Sequence, residues 1–212
     1  MESGLCLEIL DQKRREFLPQ LGFLKDQGFY MAGGTALALR IGHRTSLDFD
    51  FYSEKKFDAR QLRGEFDQKF HSVKEVYLNP GSIEIEINTV RMSFFRYPYG
   101  LIRKPLELEG VLLASKEDIA AMKILAISQR GTRRDFIDIY FLMKEFGLES
   151  IMDFTKEKYP MFNIYVGLQG LVYFEDADRD PAKERFKMLK KIDWLEIKKY
   201  IAKEAAYFKK FL

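Results

Sequence analysis

The segment that most restricts how this chain can fold joins a glycine pair to an aspartate pair. Gly33-Gly34 stands between an apolar, strand-like run at Phe29–Ala32 and a helical run at Thr35–Ile41. The pair is therefore predicted to form a strand-to-helix turn. Glycine lets backbone N–H groups approach a ligand without interference from Cβ, and the following helix N-terminus presents unpaired donors and a partial positive charge. The turn is a candidate phosphate cradle, with a turn that binds nothing as the alternative.

Two aspartates follow, in a strand predicted over Ser46–Tyr52. Asp48 and Asp50 are two residues apart, so they project from one face of the strand, while Phe49 and Phe51 point to the other. Carboxylates side by side repel each other unless a cation lies between them. Mg²⁺ is the natural cation, because it is commonly held by one or two carboxylates together with substrate phosphates. An edge strand with one wet face is the alternative.

The joint pattern predicts phosphoryl or nucleotidyl transfer. In that chemistry one element holds the triphosphate and another holds the metal that bridges it. Arg44 and Ser46 lie just before the aspartates. The planar fork of an arginine could neutralise phosphate charge, and a serine hydroxyl could bond a phosphate oxygen. Each of the two has a purely surface role as its alternative.

The pattern of the chain changes near Leu113. Before it, helices and strands are mixed, including a helix predicted over Leu7–Leu24 and a strand over Leu106–Leu112. After it, a capping box at Ser115–Asp118 opens a helix that runs to about Arg130. Four breaks divide this half into about five helices: Gly131-Thr132, Gly147, Pro160 and 178–181. We expect an α+β domain at 1–113 and a helical domain at 114–212.

A second group of charged residues falls on these helices. Lys123 lies four residues from both Ile119 and Ile127, so it shares their apolar face and needs an anionic partner. Its alternative is to extend toward solvent at the edge of that face. Further along, Asp135 or Asp138 could complement the dipole of the helix that follows the 131–132 break.

The blocks Gly33–Leu37 and Gly42–Phe51 resemble the AbiEii/AbiGii toxin family of nucleotidyltransferases. That family belongs to the DNA polymerase β superfamily and supplies the toxic partners of bacterial type IV toxin–antitoxin and phage-defence pairs. The resemblance extends to about Leu148, and Met122–Asp138 is similar to the family's second motif group. It implies an α+β fold: a polymerase β-like core, a mixed sheet with helices, followed by a C-terminal helical bundle.

The resemblance also implies an enzyme that uses Mg²⁺, or Mn²⁺, to transfer a nucleotidyl group from NTP to an acceptor. Lys123 would bind the triphosphate, and Asp135 would either orient that lysine or act as a base, with Asp138 as a possible substitute. The metal would be held by Asp48 and Asp50, which are also catalytic. The remaining nucleotide-binding residues would be Gly33, Gly34, Thr35, Arg44 and Ser46.

One departure from the superfamily concerns a third carboxylate that many members carry on a later strand. Ser93 stands at the expected position, in a strand predicted over Val90–Tyr97. Glu84 and Glu86 share a face of the preceding strand and are candidate replacements, although solvent exposure alone explains both. The departure leaves open a one-metal enzyme, a different proton acceptor, or an inactive relative that still binds nucleotide.

Composition bears on metal and location. With one cysteine and two histidines, the chain lacks the ligands of a cysteine-rich zinc site, so any metal must rest on carboxylates. No apolar run approaches the roughly 18 residues of a membrane span, and no signal peptide is visible. We therefore expect a cytoplasmic protein without a membrane partner.

Residues 183–212 carry ten Lys or Arg against four acids. They could face a polyanion, or they could be the solvated side of an amphipathic helix. The apolar positions of that helix would be Trp194, Ile197, Ile201, Ala205, Phe208 and Leu212.

Three functions remain open. The resemblance implies RNA as acceptor, at the 3′ end of tRNA in some relatives, and a cognate antitoxin protein as partner. A second possibility is nucleotidylation of a small molecule or a protein. A third is a non-catalytic module that binds nucleotide or antitoxin.

Overall fold

A single mixed β-sheet organises the first half of the chain. The computed structural model describes residues 4–181 and 186–211, so the prediction for Leu212 lies outside it. The seven strands are β1 (Tyr30–Ala32), β2 (Phe49–Ser53), β3 (Lys74–Asn79), β4 (Ser82–Ile87), β5 (Val90–Arg96), β6 (Leu106–Leu108) and β7 (Val111–Leu113). Their order across the sheet is β3-β4-β5-β2-β1-β7-β6.

Strand directions in the sheet are mixed. β2 pairs with β5 in parallel and β1 pairs with β7 in parallel, while the other neighbours are antiparallel. The tight connection between β4 and β5 passes through Asn88 and Thr89, which both have positive φ. Such a pair is typical of a two-residue hairpin that matches the twist of its strands.

Helices pack against the sheet and make up the second half of the described chain. They are α1 (Gln12–Phe17), α2 (Gly33–Ile41), α3 (Ala59–Lys69), α4 (Lys116–Gln129), α5 (Arg133–Lys158), α6 (Ile164–Val172), α7 (Glu175–Asp178) and α8 (Trp194–Phe208). Gly147, at φ 76° and ψ 157°, interrupts α5 at the predicted break. The mixed sheet followed by helices confirms the predicted α+β class. None of these helices has both the length and the apolar character that a bilayer crossing requires.

Three predicted elements were wrong in extent. The helix expected over Leu7–Leu24 is α1 flanked by 3₁₀ turns, because Asp11 caps α1 from within that range and Pro19 opens the second turn. The strand expected over Leu106–Leu112 is the hairpin β6–β7, which turns at Glu109-Gly110 with φ values of 50° and 81°. The strand expected from Ser46 begins only at Phe49, so Asp48 precedes β2.

The alternation of β2 sets the orientation of the sheet. Phe49 and Phe51 are fully buried, and Phe51 stacks on Phe94 of β5 with ring centroids 5.2 Å apart. Phe66 of α3 contacts the same Phe94 ring at 5.3 Å. This face is therefore the core, and Asp50 must project from the opposite face.

A buried ion pair ties the end of α5 to the start of α4. The Lys158 ammonium donates to the Asp118 carboxylate at 2.7 Å and to the Gly100 carbonyl at 2.8 Å. Asp118 also accepts from the backbone N–H of Ile102 at 2.9 Å. Both charged side chains are completely buried. The long α5 is thus fixed at its C-terminal end to the loop that follows β5, and whether 1–113 and 114–212 fold as separate domains stays a prediction.

We expect Lys158→Ala to lower the free energy of unfolding by about 3–5 kcal/mol, because it leaves the buried Asp118 carboxylate without its counter-ion. Urea denaturation followed by circular dichroism measures the change. The matched control is Lys156→Ala, whose exposed side chain lies 3.9 Å from Asp153 and should change stability by less than about 1 kcal/mol. Equal effects of the two substitutions would contradict the stabilising role of the buried pair.

Candidate active site

The glycine pair lies at the junction of β1 and α2, as predicted. Gly33 has a φ of 71°, and a Cβ placed there would lie 3.3 Å from Oδ2 of Asp50. A Cβ on Gly34 would lie 2.3 Å from Nη2 of Arg44. No side chain caps the N-terminus of α2. The glycines therefore permit two close side-chain approaches, and the helix end keeps backbone donors available to a ligand.

Beneath the turn, Asp138 is the centre of a buried charge network. Arg44 donates to its carboxylate through Nε at 2.8 Å and through Nη2 at 2.9 Å. His43 Nε2 lies 2.7 Å from Oδ1, and the Lys123 ammonium lies 2.7 Å from Oδ2. Burial alone would raise the pKa of Asp138, but Arg44, Lys123 and His43 hold it well below its usual range. Asp138 is thus a fixed anion.

His43 is a neutral member of this network. Burial lowers its pKa and outweighs the opposing effect of Asp138. Its Nδ1 atom has no hydrogen-bond partner among the described residues. The neutral ring therefore carries its proton on Nε2, where it donates to Asp138.

Lys123 points inward from α4 and has anionic partners, as predicted from its place on the apolar face of the helix. Its ammonium lies 2.8 Å from Asp135 and 2.7 Å from Asp138. Burial would lower the pKa of Lys123, but the two aspartates raise it above its ordinary value, so it stays charged. Asp135 also accepts from the backbone N–H and the hydroxyl of Thr132 as part of a capping box for α5.

The predicted residues Thr35 and Ser46 hold the segment that leads to β2. The Thr35 hydroxyl donates to the backbone carbonyl of Asp48 and shares a hydrogen bond of 2.7 Å with the Ser46 hydroxyl. Both side chains are buried. They position Asp48 next to the glycine turn.

The two carboxylates meet at the floor of a cleft. Burial and the charge of Asp48 raise the pKa of Asp50 to about 6, while Lys123 and Arg134 act in the opposite direction. Ser93 lies directly across from Asp50 on β5 and forms a hydrogen bond with it. Among residues 4–181 and 186–211, no group of three or more His, Cys, Asp or Glu side chains is arranged to hold a metal ion. A pair of carboxylates still fits Mg²⁺, which commonly completes its shell with phosphate and water.

The cleft has a volume of about 480 Å³ and lies between the sheet and the helices α4 and α5. All nine predicted site residues line it: Gly33, Gly34, Thr35, Arg44, Ser46, Asp48, Asp50, Lys123 and Asp135. Asp138 is not among the lining residues, which argues against its replacing Asp135. Glu84 is on the wall but forms an ion pair with Arg91 at 3.0 Å. Glu86 is not a lining residue.

Several residues of the wall were not predicted. Three are aromatic, namely Tyr52, Phe95 and Tyr97, and four are polar or cationic, namely Arg91, Gln129, Arg130 and Arg134. The spacing of β2 could have predicted Tyr52, which lies two residues after Asp50 on the same face. The others come from β5 and from the α4–α5 corner, and only the register of the sheet and the packing of the helices bring them to the cleft.

A mixed sheet, a glycine turn at a helix N-terminus, and two carboxylates facing buried and exposed cations define a nucleotidyltransferase. The comparisons agree. Residues 22–99 and 67–210 match the model of the family described as nucleotidyl transferase AbiEii toxin, type IV TA system. The chain belongs to that family and is a nucleotidyltransferase.

Related sequences and structures support this assignment. An uncharacterized protein of Aquifex aeolicus is 39% identical over 177 residues, which is 79% of this chain and 84% of the relative. The crystal structure of JHP933 from Helicobacter pylori covers 99% of this chain and 95% of its own, with a TM-score of 0.62 at 19% identity. The structure of the nucleotidyltransferase toxin MenT4 from Mycobacterium tuberculosis covers 91% of this chain and 81% of its own, with a TM-score of 0.61 at 12% identity.

Gly34→Ala should destabilise the protein by roughly 1–3 kcal/mol and weaken nucleotide binding, because the new methyl group displaces a guanidinium that Asp138 holds in place. Gly64→Ala is the control, since a Cβ on this α3 residue meets nothing within 4 Å and should stabilise by about 0.5–1 kcal/mol. Thermal unfolding with and without NTP measures both effects. If Gly34→Ala behaved like Gly64→Ala, the packing of Gly34 on Arg44 would be unimportant.

Proposed function

We propose that this enzyme uses Mg²⁺, or Mn²⁺, to transfer a nucleotidyl group from NTP to RNA, with the 3′ end of tRNA as the favoured acceptor. The observation that carries the proposal is the shared cleft. It sets the carboxylates of Asp48 and Asp50 against Lys123 and Arg134, next to the open helix end at Gly33. A triphosphate with its divalent ion needs this combination of charges.

Lys123 is proposed to bind the triphosphate. An ammonium group has three N–H donors, and Asp135 and Asp138 accept from two of them, which leaves one for a phosphate oxygen. Arg134 and Arg130 also line the cleft, and neither guanidinium forms a hydrogen bond or ion pair with another residue of the described chain. They are the cations most available to phosphate.

We assign Arg44 a positioning role, because its planar fork is already used by Asp138. It supports Gly34 from below and so fixes the turn that would contact phosphate. We assign Asp135 the task of orienting Lys123. Burial would raise the pKa of Asp135, but Lys123 and Thr132 hold it below its ordinary value, and a carboxylate with a lowered pKa is a weak base.

Asp48 and Asp50 would hold the divalent ion. When bound, the ion would neutralise charge on the triphosphate and polarise the reacting phosphoryl group. The acceptor hydroxyl would lose its proton to solvent and form a bond to the α-phosphorus. The bond from that phosphorus to the oxygen that bridges it to the β-phosphate would break, and pyrophosphate would leave. Ser93 faces Asp50 on β5 in place of a third acid, so we assign the metal to these two carboxylates.

The family description supports a toxin that acts in a type IV pair, and we extend this to a cognate antitoxin as partner and to the cytoplasm as the site of action. The cleft supports RNA over a small cationic acceptor. Five cationic side chains line it (Arg44, Arg91, Lys123, Arg130 and Arg134) against four acidic ones. Ser93 at the position of the third metal-binding acid favours, as a second candidate, a relative that binds nucleotide without catalysis.

Incubation of the purified protein with each α-³²P-labelled NTP, Mg²⁺ and total bacterial RNA tests the proposal. We expect label to enter RNA with the wild type, and Asp48→Asn and Lys123→Ala to lower the rate at least about 100-fold. The control is Asp153→Asn, an exposed carboxylate on α5, which should leave the rate unchanged. Thermal stabilisation by NTP–Mg²⁺ without transfer to any acceptor would instead support the non-catalytic candidate.

Asp135→Asn separates the two roles considered for that residue. If Asp135 orients Lys123, the substitution should raise KM for NTP by about tenfold as well as lower kcat, because the lysine loses an anionic partner at 2.8 Å. Steady-state kinetics with the favoured NTP measures both constants. A fall in kcat with KM unchanged would contradict orientation and favour a base.

A further inference from the structure

The face of the sheet that carries Asp50 continues beyond the cleft to the edge of the sheet. Asp50 lies opposite Ser93 of β5, Ser93 lies opposite Glu84 of β4, and Glu84 lies opposite Tyr77 of β3. Residues paired across strands share a face. Tyr77 is therefore on the same face as Asp50, three strands away, or roughly 14 Å at the usual strand spacing.

Two exposed aromatic side chains stand on this face. Phe95 of β5 is 37% exposed and lines the cleft, and Tyr77 is 51% exposed on the edge strand. A register shift between Glu75 and Tyr77 gives Tyr77 the same face as Glu84. Exposed aromatic rings on an open sheet are the typical stacking surface for unpaired bases, because every base has a π face.

A second cleft lies beyond the β3–β4 turn on the opposite face of the sheet, which α3 covers, because Leu78 and Arg96 alternate with Tyr77 and Phe95 along their strands. Its volume is about 730 Å³, and it lies around the β3–β4 turn, where Asn79 belongs to the strand that also carries Tyr77. Lys56, Arg60 and Arg96 stand around it. Phe57, Leu78 and Pro80 supply an apolar floor.

The three cations of the second cleft are available to a ligand. None of them has an ion-pair partner within the described ranges. Asp58, the one acid on the wall, already accepts from the backbone N–H groups of Arg60 at 2.8 Å and Gln61 at 3.1 Å as the cap of α3. Three such positive charges at one concave site are complementary to a chain of phosphates.

We propose that the acceptor RNA binds as a single strand that crosses the face carrying Asp50 and passes around the β3–β4 turn into the second cleft. We call this path the acceptor track: Phe95, Tyr77, Asn79, Lys56, Arg60 and Arg96. Bases near the reacting end stack on Phe95 and Tyr77, and the phosphodiester backbone further along binds Lys56, Arg60 and Arg96. The inference rests on the RNA acceptor proposed above and names where that RNA lies. An acidic protein segment is less well matched, since it would use the cations but not the aromatic rings.

The track differs from the other basic region of the chain, the exposed face of α8. Lys199 and Lys203 are exposed there, but they belong to a helix that buries Ile197, Ile201 and Ala205 against the rest of the protein. Neither of the two clefts described above is lined by these lysines. Together with Lys209, which is exposed directly after α8, they provide a control set of three positive charges.

Binding of a fluorescein-labelled 12-nucleotide single-stranded RNA, followed by anisotropy at several salt concentrations, tests the cations. Replacing Lys56, Arg60 and Arg96 together by Gln should make the slope of log K against log salt shallower by about two. Replacing Lys199, Lys203 and Lys209 together by Gln should leave it unchanged. Stabilisation by NTP–Mg²⁺ should be retained in the track variant, which shows that the active site is folded.

The aromatic part of the track has its own test. Tyr77→Ala should weaken binding of the same RNA by at least about fivefold, while Tyr77→Phe should bind like the wild type. Tyr165→Ala is the control, because Tyr165 on α6 is also 51% exposed. The same RNA annealed to its complement should bind the wild type at least fivefold more weakly, since its bases are no longer free to stack.

The outcomes separate this inference from the function on which it rests. Suppose that the wild type labels RNA, and that the salt dependence of RNA binding is lost in the α8 variant but kept in the track variant. The acceptor track is then wrong, while the proposed transfer to RNA is retained. If a glutamate peptide of equal charge binds as tightly as the RNA and is insensitive to Tyr77→Ala, a protein ligand replaces RNA on this surface. If the wild type neither binds nor labels RNA, the RNA acceptor itself fails.

Discussion

The arrangement of the whole site depends on the buried carboxylate of Asp138. It belongs to α5, yet it receives Arg44 from the loop before β2 and Lys123 from α4. Removing such an anion would leave two cations buried without compensation, which is among the most destabilising changes a core can suffer. Because Gly34 rests on Arg44 and Asp135 shares Lys123, this one interaction fixes the glycine turn, the lysine and the aspartates relative to one another.

This arrangement explains why residues that look like ligands in the sequence are partly structural. Arg44 was expected to meet phosphate, but its fork lies under the turn and is occupied. Thr35 and Ser46 bond each other and the Asp48 backbone. A site that must bring a trianionic or tetraanionic substrate between like-charged carboxylates benefits from groups already held in place, since little reorganisation is then needed during reaction.

The sequence predicted the parts of the molecule that depend on local pattern. Strand alternation placed Asp50 opposite the phenylalanine core, the capping box placed the start of α4, and helical spacing turned Lys123 inward. It could not predict that β5 would lie beside β2, because parallel pairing joins segments far apart in the chain. Ser93, Arg91 and Phe95 reach the site only through that register. Asp138 lies at the centre of the buried network, whereas Asp135 lines the cleft. This difference depends on how the helices pack, which the periodicity of the sequence does not specify.

The clustering of basic residues in the sequence and the clustering of cations in the folded structure indicate different candidate surfaces for RNA. The basic residues near the C-terminus were the first indication of a polyanion partner, yet α8 buries an apolar stripe and directs its lysines to solvent, as an amphipathic helix does. The cations of the second cleft are fewer and scattered in sequence at positions 56, 60 and 96. They converge because the turn after β3, the N-terminus of α3 and the end of β5 meet at one edge of the sheet. Concavity, the lack of ion-pair partners among the described residues and the junction with the Asp50 face at Asn79 therefore support the proposed acceptor track over the lysines of α8.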